Sequence, residues 1–397
     1  MAGYGFLAVV QSAGIYKKCL VAVLASVTTI LLASCTNDPD MDHEPDMNSM
    51  MDDSFSLSDI PPNRWIKYHE VNDGLWRRKW HAGLAYDSTR GHLLVFGSDT
   101  HGEDWDNVVH EFIPAEREWL HHGAESAIDT YSVSHDGYPV AGEAGNAPWA
   151  MHTYDGIDYD PVSDSLVVVA SPLHNPIGKK HPERKSDPVW IYNLQTRDWS
   201  RFSADIRRKP GIHFGSAVSY DELDEILYIC KSGLWGMDIP KEKYERIADA
   251  PNCLHSSVAF DKWRRQLYVF GSYKGTANVS RYIPVSPEEA GGWEELIPGG
   301  DLCPPYSKAP VAFDEKNGVF LLVTDDAGNR NNGNPGVSAT FIYDPGANTY
   351  QKLDDAALPA TGMNFMMAWD KVHEVFFIVT GNREDGVTVW TLRLAVK

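Results

Sequence analysis

The sequence predicts an all-β protein folded as a β-propeller, a ring of four-stranded blades. Three observations predict it. A motif recurs six times: an apolar strand ending in an aromatic residue and Asp, a turn, and a second apolar strand. The 397 residues include 32 Gly and 24 Pro, which punctuate short alternating stretches and leave few helical periodicities. Residues 64–71 (RWIKYHEV) carry the outer-strand pattern that the sixth copy lacks.

In chain order, the first element is an export signal over residues 1–35. Lys17 and Lys18 precede an apolar run, which ends on Leu32-Ala33-Ser34-Cys35. That tetrapeptide resembles the lipobox of bacterial lipoproteins, which implies that Cys35 becomes the lipidated mature N-terminus. A single anchoring helix is the alternative, for which the apolar run is short. Stable attachment to a cell-envelope membrane through two or more acyl chains is the expectation. Residues 36–62 are acidic, Met-rich and nearly free of aromatics, the composition of a disordered tether. The net charge of −20 argues against a nucleic-acid partner, so an anionic ligand needs a locally basic site. Without residues 1–35, Cys230, Cys253 and Cys303 remain, an odd number for an exported chain.

The propeller is expected over residues 63–397. The six landmark aspartates are Asp87, Asp160, Asp221, Asp261, Asp314 and Asp370. Each ends an inner strand A and opens the turn to strand B. A third strand follows, as in VWIYNL or ATFIYDP, and then a fourth carrying Trp or Tyr, as in REWLHH or TYQKL. The sixth copy has three strands, so residues 64–71 are expected to close the ring against it. VFGS and IVTG stand where kelch repeats often carry a double glycine, so the chain resembles kelch-like propellers. The count is six blades. A seventh stays open, because the first interval holds an extra stretch, residues 121–151, readable as a long loop or a degraded blade.

In a blade, the loop into strand A and the loop out of strand B open on one face near the central channel. Six residues before the landmarks stand His81, Tyr154, Gly215, His255, Lys308 and Asn364; eight before stand Lys79, His152, His213, Cys253, Tyr306 and Gly362. Two constellations follow. His152, His213, Cys253 and His255 are imidazole and thiolate ligands of the kind that hold a structural Zn²⁺. The alternatives are channel-lining polar residues and a disulfide between Cys253 and Cys230. The second constellation is His81, His101 in the strand-B exit loop of the same blade, and Tyr154 from the next blade. Lys79 precedes it, and Lys179 and Arg184 stand in the long exit loop of the second blade, making a basic rim on an acidic protein.

His, Tyr and Arg without a nucleophile-base pair match β-elimination from a uronic acid. A cation neutralises the carboxylate, a base removes the adjacent proton, and an acid protonates the leaving oxygen. The stretches HAGLAYDSTRGHLLVFGSDTHGEDWDN and PWAMHTYDGIDYDP resemble the propeller polysaccharide lyases that cleave ulvan, a sulfated uronic-acid polymer. That resemblance implies paired histidines, here His81 and His101, a tyrosine, either Tyr154 or Tyr131, and an arginine, for which Arg184 is the candidate. It also implies seven blades. The expected partner is an anionic polysaccharide, bound by a monomer at the cell envelope. The rival is a non-catalytic binding propeller, since the fold alone does not imply catalysis.

Overall fold

The six repeats build six blades of four antiparallel strands, the sixth completed by an N-terminal strand and the fifth extended by a short parallel one, and the sheets stand in a ring. The computed structural model describes residues 56–71, 81–102, 104–184, 187–202, 215–231, 233–285, 291–325, 338–354, 356, 358, 364–382 and 386–396. The export signal with Cys35, most of the tether, Lys79, His213 and Gly362 lie outside them.

Blade 1 has strands A–D at Gly83–Asp87, His92–Phe96, His110–Ile113 and Glu118–His121. Blade 2 runs Ile157–Asp160, Ser165–Val168, Trp190–Asn193 and Trp199–Arg201, and blade 3 Ala217–Asp221, Ile226–Cys230, Leu234–Asp238 and Lys243–Ala248. Blade 4 is Ser257–Asp261, Gln266–Phe270, Val279–Ile283 and Gly292–Leu296. Blade 5 is Val311–Asp314, Val319–Asp325, Ser338–Asp344 and Thr349–Leu353, with Gly299–Gly300 added in parallel to its outer strand. Blade 6 is Met367–Asp370, Val375–Asn382 and Gly386–Leu392, and Ile66–Val71 pairs antiparallel with the last of these as its fourth strand. The expected closure is therefore present.

The turn chemistry explains why the repeat was legible. All six landmark aspartates are fully buried. Each accepts backbone N–H bonds from the residues two and three positions on, for example from Trp263 and Arg264 at 2.9 and 3.0 Å in blade 4. The residue four positions on is left-handed in every blade: Gly91, Asp164, Glu225, Arg265, Gly318 and Glu374.

Burial is greatest on strands A and B and least on strand D, so the core is divided into layers between blades. One apolar cluster lies at each of the six blade junctions, including Leu84, Leu93, Phe377 and Val389 between blades 6 and 1. The extra stretch between blades 1 and 2 forms a small hairpin, Ser132–Val133 with Pro139–Val140, and buries Trp149. It is a loop domain in miniature and not a degraded blade, so the seventh blade kept open by the sequence is not formed.

The channel differs at its two mouths. At the A–B turn side, the residues after the landmarks form ion pairs, and Lys371 of blade 6 reaches Glu222 of blade 3, on the opposite side of the ring, at 3.3 Å. Lys262 also reaches Glu222, at 3.8 Å, and pairs with Glu315. The other mouth collects the strand-A starts.

Candidate functional site

Five of the six strand-A starts share one backbone conformation, which aims their side chains. His81, Tyr154, Gly215, His255 and Lys308 all lie in the left-handed region, at φ 73°, 51°, 76°, 59° and 58°. The left-handed bend belongs to the repeat, and glycine in blade 3 adopts it without steric cost. Four other blades place bulky polar residues there, at a cost of roughly 1 kcal/mol or more each, which packing alone does not require. Consecutive starts are also linked: Tyr154 N–H donates to the His81 carbonyl at 3.0 Å, and Lys308 N–H to the His255 carbonyl at 2.9 Å. At Gly83 a β-carbon would collide with the Tyr154 carbonyl oxygen, so glycine there admits the close approach of blade 2 to blade 1.

Around this bend the aromatic and imidazole rings converge. His81 stacks on His152 at 4.1 Å between centroids and meets His101 edge-on at 5.9 Å. The Tyr154 ring is 5.2 Å from His81, 5.5 Å from His255 and 5.3 Å from Phe365, which puts it between blades 1, 4 and 6, at the bore. His101, exposed on the short turn Thr100–Gly102, also faces His152 at 4.7 Å and His174 at 5.0 Å. Asp99 lies 3.6 Å from His81 Nε2.

One chain of contacts assigns protons. Tyr154 Oη is 3.3 Å from His152 Nδ1, and His152 Nε2 is 3.2 Å from Thr100 Oγ1. Burial, and then the neighbouring His81, His101 and His174, push the His152 imidazole far below the usual histidine range, so it is neutral. Burial and the Asp99 carboxylate push the Tyr154 phenol up, so it keeps its proton. The consistent arrangement has Tyr154 O–H donating to Nδ1, and Nε2–H donating to Thr100. The site thus holds a protonated phenol oriented by an uncharged imidazole.

His81, His101 and Tyr154 are therefore brought together as expected, and His152 joins them. The proposed zinc set is not assembled. Cys253 is bonded to Cys230, so its thiolate is unavailable, and His152 stacks on His81 while His213 is outside the described residues. His255 packs against Tyr154 and Tyr273 instead. Among the described residues near the mouth, the group able to hold a metal ion is His81, Asp99 and His152, whose ligand atoms lie within 4.8 Å of one another.

Three expected substrate residues stand elsewhere. Tyr131 is buried with its hydroxyl held between the Trp105 carbonyl, at 3.1 Å, and the Ala150 N–H, at 3.2 Å, where it fastens the inserted loop. Arg184 lies over the Trp149 ring at 6.0 Å, donates to the Pro172 carbonyl and faces Asp187 at 3.9 Å. Both are thus used in holding loops together. Lys179 is exposed on the turn Pro176–Lys180.

The sequence reading missed His174, Asp99 and the role of two lysines. His174 follows strand B of blade 2 as His101 follows strand B of blade 1, a signal that was present. Lys308 occupies a strand-A start, and Lys231 follows strand B of blade 3 with its Nζ 3.4 Å from the Gly215 carbonyl. Both lysines act on His255, whose imidazole burial and these two ammonium groups push down to about 3.

No family model matches the chain, and no curated protein sequence matches it. Among solved structures, that of YjhT is similar in fold, with a TM-score of 0.50 and 10% identity over 80% of this chain and 93% of that one. At that identity the likeness speaks for the propeller fold alone.

Proposed function

We propose that the protein is a polysaccharide lyase that cleaves a uronic-acid-containing polymer by β-elimination. What carries this reading is the convergence of His81, His101 and Tyr154, from two blades, around one point at the strand-A end of the channel. The alternative of residues scattered over two faces would leave no route for concerted proton transfer.

In the proposed step, His81 or His101 removes the proton on the carbon beside the carboxylate. The electron pair forms the new carbon–carbon double bond, the glycosidic oxygen departs, and the Tyr154 O–H supplies its proton. His152 positions that hydroxyl through Nδ1. The resemblance to ulvan lyases makes ulvan the first polymer to try, and the lipobox at Cys35 makes the cell envelope the proposed setting.

The test is incubation with ulvan and other polyuronates while following the ultraviolet absorbance of the unsaturated product. Tyr154→Phe should lower kcat by about 10²–10⁴-fold, the range for loss of a general acid, with binding retained. If the wild-type chain binds these polymers and produces no absorbance with any, the non-catalytic binding propeller replaces the lyase.

A further inference from the structure

We propose that the same channel mouth contains an oxyanion-binding subsite formed by Lys308, Lys231 and His255, which takes the carboxylate or sulfate ester of one sugar of an anionic polymer. That the oxyanion belongs to a sugar rests on the lyase reading; the subsite itself rests on Lys308. This lysine is 7% exposed, and among the described residues its Nζ has neither a hydrogen bond nor an ion pair. Its stem is buried while the ammonium still meets solvent, where an incoming anion can pair with it. The chain carries a formal charge of −20, so carboxylates are abundant, yet none of the described ones is placed on this ammonium.

The neighbours fit an oxyanion. The Lys308 N–H binds the His255 carbonyl at 2.9 Å, which fixes the two starts side by side. Lys231 holds a second ammonium next to the adjacent start, Gly215. His255 stands near both lysines, which together with burial hold its imidazole below the usual range. The Tyr273 ring lies 5.2 Å from His255 and is 60% exposed, a flat apolar face of the kind on which a sugar ring stacks. One tyrosine ring, Tyr154, separates His255 from His81, so the subsite adjoins the reacting centre. It supplies the cation that Arg184 does not.

The experiment is calorimetric titration of the full chain with sodium sulfate, sodium glucuronate and, as the neutral control, glucose. Sulfate and glucuronate should bind and glucose should not, and the preferred anion identifies which sugar substituent the subsite takes. Lys308→Met should weaken anion binding at least ten-fold with an unchanged circular dichroism spectrum, and Lys308→Arg should restore most of it. Equal binding by Lys308→Met and wild type, or no preference over glucose, overturns the subsite. Should Lys308→Met fail to fold, protection of Lys308 from acetylation by sulfate or glucuronate in the wild-type chain gives the same decision. Binding is read without turnover, so a chain that holds the anion and cleaves nothing refutes only the lyase, and a chain that cleaves while Lys308→Met binds and turns over normally refutes only the subsite.

Discussion

A histidine kept neutral by burial makes stability depend on pH. His255 has its imidazole pushed down from 6.5 to about 3, first by burial and then by Lys308, Lys231 and His174. The unfolded chain takes up this proton below about 6.5 while the folded chain does not, so the contribution is complete above 6.5 and is lost as pH falls toward 3. Urea-denaturation midpoints measured across this window should fall with pH, and His255→Asn should flatten part of the fall; parallel profiles for the two proteins would refute the assignment. Single residues also show the limit of reading composition. His81 and Tyr154 were legible because they hold a fixed place in a repeat. Arg184 was a guess from loop composition, and its guanidinium is spent on Trp149, Pro172 and Asp187.

Blades depend on their turns as much as on their strands. Asp261 illustrates the repeated device: one carboxylate oxygen accepts the N–H groups of Trp263 and Arg264, and the other faces the Arg264 guanidinium at 2.7 Å. Asp261→Ala leaves two backbone donors of the turn without that acceptor and should cost about 2–4 kcal/mol in urea denaturation, since each lost buried partner costs about 1–3 kcal/mol. Asp261→Asn keeps an acceptor and should recover a large part. Equal losses for the two would mean that charge, and not the turn bonds, governs this position. The Asp motif is short-range chemistry and therefore readable in the sequence. The metal constellation was inferred from the same register but required knowing that the end of strand B in blade 3 places Cys230 beside Cys253. Strand register alone left disulfide and ligand both open.

The ring as a whole is held by its closure. Trp65, just before the closing strand, is 5% exposed, packs into the layer between blades 5 and 6, and donates its indole N–H to Thr340 Oγ1 at 2.9 Å. Trp65→Ala should destabilise the protein by about 3–5 kcal/mol, the usual cost of truncating a buried Trp, measured from the urea midpoint. A loss within experimental error would show that the N-terminal strand does not hold the ring closed. Alternation along strands, the buried aspartate of each turn and the missing outer strand of the sixth copy are local patterns, and they were sufficient to foretell six blades and their closure. The site followed them only as far as the strand-A starts. Which ring meets which, that His152 leaves the proposed zinc set to stack on His81, and that Lys308 rather than Arg184 reaches the bore, depend on contacts between residues distant in the chain and on the paths of long loops. Local periodicity carries no information about either, because ring closure and loop packing choose among side chains that look equivalent in one dimension.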